Sequence, residues 1–110
     1  MASEVMKVKL HATLSNVEAD LLTVAAGHTY TVLNISLCET AAAAETFDLY
    51  LDPLASGTDD TYIYKAQALA ANATFEHTTR LVMEATDVLY GITADSADVD
   101  VVITYLDQTL

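Results

Sequence analysis

A chain of 110 residues and 11.8 kDa is one ordinary domain, long enough to enclose a single core without disulfide or metal staples. With 53% hydrophobic and 18% charged residues and a mean hydropathy of +0.32, its composition is that of a folded chain and excludes intrinsic disorder. Sixteen acids against four bases leave a net charge of −12 and a pI near 4.1, a field that repels both a phosphate backbone and an anionic bilayer.

Twenty-nine residues are Val, Ile or Thr and eight are Tyr or Phe, side chains that suit a pleated, half-buried surface. Alternation begins in Glu4–Leu14, where Met6, Val8, Leu10, Ala12 and Leu14 interleave with Lys7, Lys9, His11 and Thr13. A short strand is expected at Leu21–Val24. Thr29–Cys38 follows, with Thr31, Leu33, Ile35 and Leu37 on one side and Tyr30, Val32, Asn34, Ser36 and Cys38 on the other. Thr46–Asp52 sets Phe47, Leu49 and Leu51 against Asp48, Tyr50 and Asp52. Thr61–Lys65, Thr74–Met83, Val88–Ala94 and Val99–Leu106 complete eight short strands. Turn chemistry separates them at Ser15–Asp20, Ala25–His28, Asp52–Asp60 with Pro53 and Gly57, Ala71-Asn72, Glu84–Asp87 and Asp95–Asp98.

Thr40–Glu45 and Lys65–Ala73 have helical propensity, but both are shorter than a self-sustaining helix, so each amounts to a turn or two at an edge. The pattern predicts an all-β fold, an antiparallel β-sandwich of about eight short strands in one domain, residues 1–110.

Little in the residues points to chemistry. Cys38 is the single cysteine, so no internal disulfide or two-thiol metal site is expected, and its place at the end of an apolar strand suits a small buried hydrophobe. His11, His28 and His77 lack the spacing that builds a metal site locally and read as strand and turn histidines. Asp95, Asp98 and Asp100, and the pair Asp59-Asp60, lack the glycine and distal Glu of a calcium loop and read as solvated loops. Gly27, Gly57 and Gly91 stand alone, so no phosphate-cradling loop is expected. No cofactor and no catalysis are expected. The sequence also lacks the apolar run of a secretory signal or a membrane span, which predicts synthesis in the cytosol.

The segments HATLSNVEADLLTVAAGHTYTVLNISLCET, TFDLYLDP, YIYKAQALAANATFEHTTRLVMEATDVLYGITA and VDVVITYLD carry a rhythm of strands and turns along nearly the whole chain. In that rhythm the chain resembles small structural proteins of tailed bacteriophages, including head decoration, or cement, proteins. One departure is visible: where such proteins often have Gly before the Asp of the acidic turn, Thr86 precedes Asp87, which predicts a different backbone there.

The resemblance implies a jelly-roll-like sandwich that binds the outer surface of the assembled head. It implies the major capsid protein as partner and a location on the virion after synthesis in the host cytoplasm. A homotrimer is the simplest closed arrangement. Residues 1–9 are a candidate N-terminal arm, with Met6, Lys7, Val8 and Lys9 contacting the capsid, since Lys7 and Lys9 are two of the four bases. An ordinary first strand with a frayed end is the competing reading. For the subunit interface the candidates are Tyr50, Tyr62, Tyr64 and Tyr105, against the alternative of cross-strand pairing within one subunit. Two further functions stay open: a tail, head–tail connector or fibre-associated structural protein, and a carbohydrate-binding sandwich. The absence of Trp counts against the latter.

Overall fold

The structure is a computed structural model that describes residues 3–95 and 98–109. Its strands are β1 (Ser3–Leu14), β2 (Ala19–Thr23), β3 (His28–Glu39), β4 (Glu45–Asp52), β5 (Thr61–Leu69), β6 (Thr74–His77), β7 (Leu81–Met83), β8 (Val88–Thr93) and β9 (Val99–Thr109). A single 3-10 turn, Pro53–Ala55, follows β4. Met1 and the middle of the turn expected at Asp95–Asp98 lie outside the described residues.

All pairings are antiparallel. The first sheet has the order β1-β9-β3-β6, with β7 extending the β6 edge along β3; the second has the order β2-β8-β4-β5. Counting β6 and β7 as halves of one edge leaves four strands per sheet, connected as a jelly roll. The expected strand Thr74–Met83 is thus interrupted at residues 78–80. Neither helix-prone segment forms a helix: Lys65–Leu69 extends β5, where Leu69 is buried against the core, and the loop after Glu39 bends around that residue's carboxylate. Tertiary burial overrides the small local preference of alanine.

Two of the irregularities in register, in β1 and β3, decide which side chains of the first sheet the sandwich encloses. β1 pairs with β9 one-to-one from Ser3↔Thr109 to His11↔Val101, then jumps to Leu14↔Val99. Thr13 turns the strand there with a φ of 55°, and its N–H donates to Asp100 Oδ1 at 2.9 Å. One extra residue reverses the facing of everything beyond it. Leu14 is therefore wholly buried, while Met6, Val8 and Leu10 point outward and stay exposed. This corrects the expectation of one continuous apolar face along Glu4–Leu14.

The second irregularity lies in β3, between Val32↔Tyr105 and Asn34↔Thr104. It puts Tyr30 and Val32 on the buried side together with Ile35 and Leu37, so the two faces read from strict alternation exchange halfway along the strand. Between the sheets these residues meet Phe47, Leu49, Leu89 and Ile103, all essentially excluded from water. Each such side chain contributes about 1.5–3 kcal/mol by burial. Gly91 faces the core at a crowded point. A Cβ there would lie 2.7 Å from Leu21 Cδ1 and 3.3 Å from both Leu14 Cδ2 and Leu49 Cδ2.

The turn before β8 also differs from expectation. Thr86 adopts a φ of 69°, the left-handed conformation that glycine favours. Its N–H donates to Val24 O at 3.0 Å, while Asp87 N–H reaches Glu84 O and the Asp87 carboxylate accepts the N–H groups of Glu84 and Leu54. These four bonds hold the turn in shape despite the β-branched side chain.

Candidate docking surfaces

The two outer faces of the sandwich differ in chemistry. On the first sheet, the register aligns Met6, Val8 and Leu10 of β1 with Leu106, Thr104 and Val102 of β9, and these with Thr31, Asn34 and Ser36 of β3. Met6, Val8 and Leu10 are 59%, 58% and 66% exposed, and Val102 and, at the far edge, Val82 are exposed as well. The acids that the register places on this face are Glu4, Glu76 and Asp100, which stand at its ends and its β6 edge. The middle is apolar or uncharged polar, with Asn34 among the hydroxyls. A contiguous apolar surface on a monomer marks a contact site.

The inward side of β1 holds its bases. Lys7 Nζ lies 2.8 Å from Asp107 Oδ2, and His28 Nδ1 lies 2.6 Å from Asp107 Oδ1. His28 and Lys7 hold the buried Asp107 carboxyl below its ordinary range, and Asp107 raises the Lys7 ammonium in turn. Lys9 instead lines a cleft of about 380 Å³ with Asp20, Leu22, Thr23, Tyr30 and Tyr105. Residues 3–9 thus form a strand paired with β9 along its length. Met6 and Val8 face out, and Lys7 and Lys9 face the sandwich side, where Lys7 is engaged within its own subunit.

The four candidate interface tyrosines fall in three places. Tyr105 packs on Tyr30, centroids 4.7 Å apart, beside the Asp107 cluster, and both rings are buried. Tyr64 contacts Phe47 and Phe75, and its hydroxyl lies 2.9 Å from His77 Nδ1. Only Tyr50 and Tyr62 come together, on the outer face of the second sheet, centroids 4.9 Å apart. Tyr90 of β8, which the sequence reading left out, extends them into a row, 5.5 Å from Tyr50. Its place at the same phase of an alternating strand was the available signal, but strand pairing alone shows that β8 lies beside β4. Burial, together with Asp20, Glu18, Asp52 and Asp60, raises the Tyr90 hydroxyl above its ordinary range.

At the end of the sandwich where β3 finishes and β4 and β9 begin, Glu39, Glu45 and Asp98 are buried together. Glu39 accepts the N–H groups of Asn72, Ala41 and Ala43, which hold its carboxyl low. Asp98 is pushed up to about 6 by burial and by Glu45 and Glu39, and among the described residues its Oδ1 has no hydrogen-bond partner. His11, His28 and His77 sit on β1, β3 and β6 and do not converge. Among the described residues no three His, Cys, Asp or Glu side chains are arranged to hold a metal.

No family model and no curated protein matches the sequence. Solved structures with this fold include a chain from Bacillus endospore appendages, described as disulfide-linked pili. Its TM-score is 0.62 at 11% identity, covering 100% of this chain and 91% of that one. A chain of the IBDV viral particle matches with a TM-score of 0.57 at 10% identity over 97% of this chain and 31% of that one. The capsid of Helicobacter pylori bacteriophage KHP30 contributes a third, with a TM-score of 0.54 at 16% identity over 100% of this chain and 94% of that one. At such identities the likeness is one of fold: a jelly roll also built into phage and viral capsids and a pilus.

Proposed function

We propose that this chain is a non-enzymatic structural protein of a phage particle that decorates the outer surface of the assembled head. The observation that carries the reading is the exposed row Met6, Val8, Leu10 and Val102 on a protein of net charge −12. Anionic repulsion keeps free copies apart and away from the genome, while an apolar, charge-poor face accepts a partner. Laid on the major capsid protein, the outer face of β1 buries Met6 and Val8. Lys9, at the same margin, favours an acidic patch on the shell, while Lys7 is held by Asp107. Each contact is modest, so firm attachment comes from several linked copies, with a homotrimer joined through the Tyr50–Tyr62 side as the simplest closed unit.

The test is particle binding by Val8→Glu, which places a charge in the apolar row without touching the core. Binding is expected to fall by tenfold or more while the melting temperature stays unchanged. Undiminished binding would remove β1 from the contact. Copy number decides where the protein sits: hundreds of copies spread over the head in electron micrographs support decoration, and a few at one vertex or along a tail support the tail or fibre reading instead.

A further inference from the structure

β1 and β2 are edge strands of their two sheets and lie side by side, and the cleft of about 380 Å³ enters the sandwich between them. Lys9 of β1 stands on one lip and Asp20, Leu22 and Thr23 of β2 on the other, with Tyr30 of β3 and Tyr105 of β9 set deeper. That volume is at the small end of ligand sites and suits one ring-sized polar molecule.

Three polar groups of the cleft are unengaged. The Tyr30 and Tyr105 side chains are 7% and 8% exposed, yet among the described residues neither hydroxyl has a hydrogen-bond partner. These oxygens are not sealed in the core either. Among the described residues the enclosed polar side-chain atoms without a partner are His77 Nε2 and Asp98 Oδ1, so the two hydroxyls open into the cleft that their residues line. The Lys9 ammonium likewise makes no ion pair or hydrogen bond among the described residues. A buried tyrosine hydroxyl ordinarily finds a partner, because a polar group withdrawn from water and left unpaired costs free energy. Here the partner comes from whatever fills the cleft.

The mixture of groups selects the occupant. Lys9 only donates, the Asp20 carboxylate only accepts, and the hydroxyls of Thr23, Tyr30 and Tyr105 do both. Thr23 already donates to Asp20 Oδ2, which steadies the carboxylate and leaves Oδ1 to accept. An anion would meet Asp20 in a chain of net charge −12, and a cation would meet Lys9. An apolar molecule would leave the hydroxyls unpaired. A neutral polyol satisfies donors and acceptors together, and Leu22 supplies an apolar contact for its C–H face.

We infer that this cleft binds one neutral sugar ring, a pyranose, either free or at the end of a glycan chain. Lys9 donates to its hydroxyls, Asp20 accepts from them, and Tyr30 and Tyr105 do either. Recognition by hydrogen bonds needs no stacking platform, so the absence of tryptophan does not weigh against it. The site goes beyond the decoration reading and needs no shell; an acid on a shell would compete with the sugar for Lys9.

Titration of the isolated chain with the methyl glycosides of glucose, galactose and mannose, followed by nuclear magnetic resonance, tests the inference. At least one is expected to bind saturably in about the millimolar range and to shift signals of Tyr30 and Tyr105. Tyr30→Phe and Tyr105→Phe keep the packed rings and remove only a hydroxyl. Each, like Lys9→Met, should weaken binding about fivefold or more while the melting temperature stays unchanged. Val8→Glu should bind as the native chain does. N-acetylneuraminic acid, which carries a carboxylate, and glucosamine, which carries an ammonium, should bind more weakly than the neutral sugars. Linear trisaccharides of the same sugars separate the sources: tighter binding than the single ring supports a glycan chain, and equal binding supports a free sugar. No saturation by any neutral glycoside up to about 100 mM, far above the expected range, would overturn the inference. So would tighter binding of the charged sugars, or undiminished binding by the two Phe variants and Lys9→Met. The isolated chain is used throughout, so failure here leaves the decoration reading standing, and failure to bind particles leaves the sugar site standing.

Discussion

Lys7 and Asp107 meet diagonally across the β1–β9 pair, Nζ to Oδ2 2.8 Å, and His28 Nδ1 reaches the other carboxylate oxygen at 2.6 Å. This cluster ties the edge strand to the sheet beneath it. A base placed on the inward side of an edge also disfavours addition of a foreign strand.

Because the Asp107 carboxyl is held low by His28 and Lys7, its contribution is present above the ordinary carboxylate range and is lost as pH falls through its depressed value. Asp107→Asn should therefore lower the melting temperature by several degrees at pH 7. The deficit should narrow as pH falls below the ordinary carboxylate range and through the depressed value of Asp107, where the native carboxyl is protonated too. Thermal melts of both proteins across that range measure it.

Asp98 works in the opposite direction. Its carboxyl is raised to about 6, so the folded state binds the proton more tightly than the unfolded chain does, and stability should rise as pH falls from about 7 toward 4. Asp98→Asn removes the charge but keeps the shape and a donor for Glu45 or Glu39. It should raise stability at pH 7.5 by on the order of 1 kcal/mol and flatten that slope. An unchanged slope in urea unfolding series would show that the three carboxyls do not share the proton.

Gly91→Ala tests the crowding of the core around Gly91. The added methyl meets Leu21, Leu14 and Leu49 in a filled core, so a loss of about 1–3 kcal/mol is expected in chemical denaturation.

Thr86→Gly should act in the other sense. Relief of a left-handed β-branched residue outweighs the added freedom of the unfolded chain, for a gain of up to about 1 kcal/mol. The same denaturation experiment reads it.

Much of the architecture was legible from residue types. Val, Ile, Thr and aromatic residues in period two mark the strands, and Asp, Asn, Gly and Pro clusters mark the breaks. Strand ends came within a few residues at β3, β4 and β8. The candidate surface was legible only in part. Met6 and Val8 were identifiable as a distinctive apolar pair in a basic segment, but alternation alone assigns them to the same side as Leu14, and the bulge at Thr13 separates them. Tyr50 and Tyr62 were found together because β4 and β5 are neighbours along the chain and in the sheet. Tyr64, on the same strand as Tyr62, is turned inward by the register shift between Leu49↔Tyr64 and Tyr50↔Tyr62, and Tyr105 joins Tyr30 because β9 pairs with β3, far away in sequence.

By itself the sequence determined the class of the fold, its single core, its strong negative charge and the turns between strands, since these follow from side-chain shape, hydropathy and local backbone preference. The tertiary structure decided which face each strand turns inward, which acids share the buried end of the sandwich, and which tyrosines form a row. Those properties depend on register. One unpaired residue in an antiparallel ladder reverses every side chain beyond it, and groups as distant in sequence as Glu39 and Asp98 become neighbours only when β3 and β9 pair.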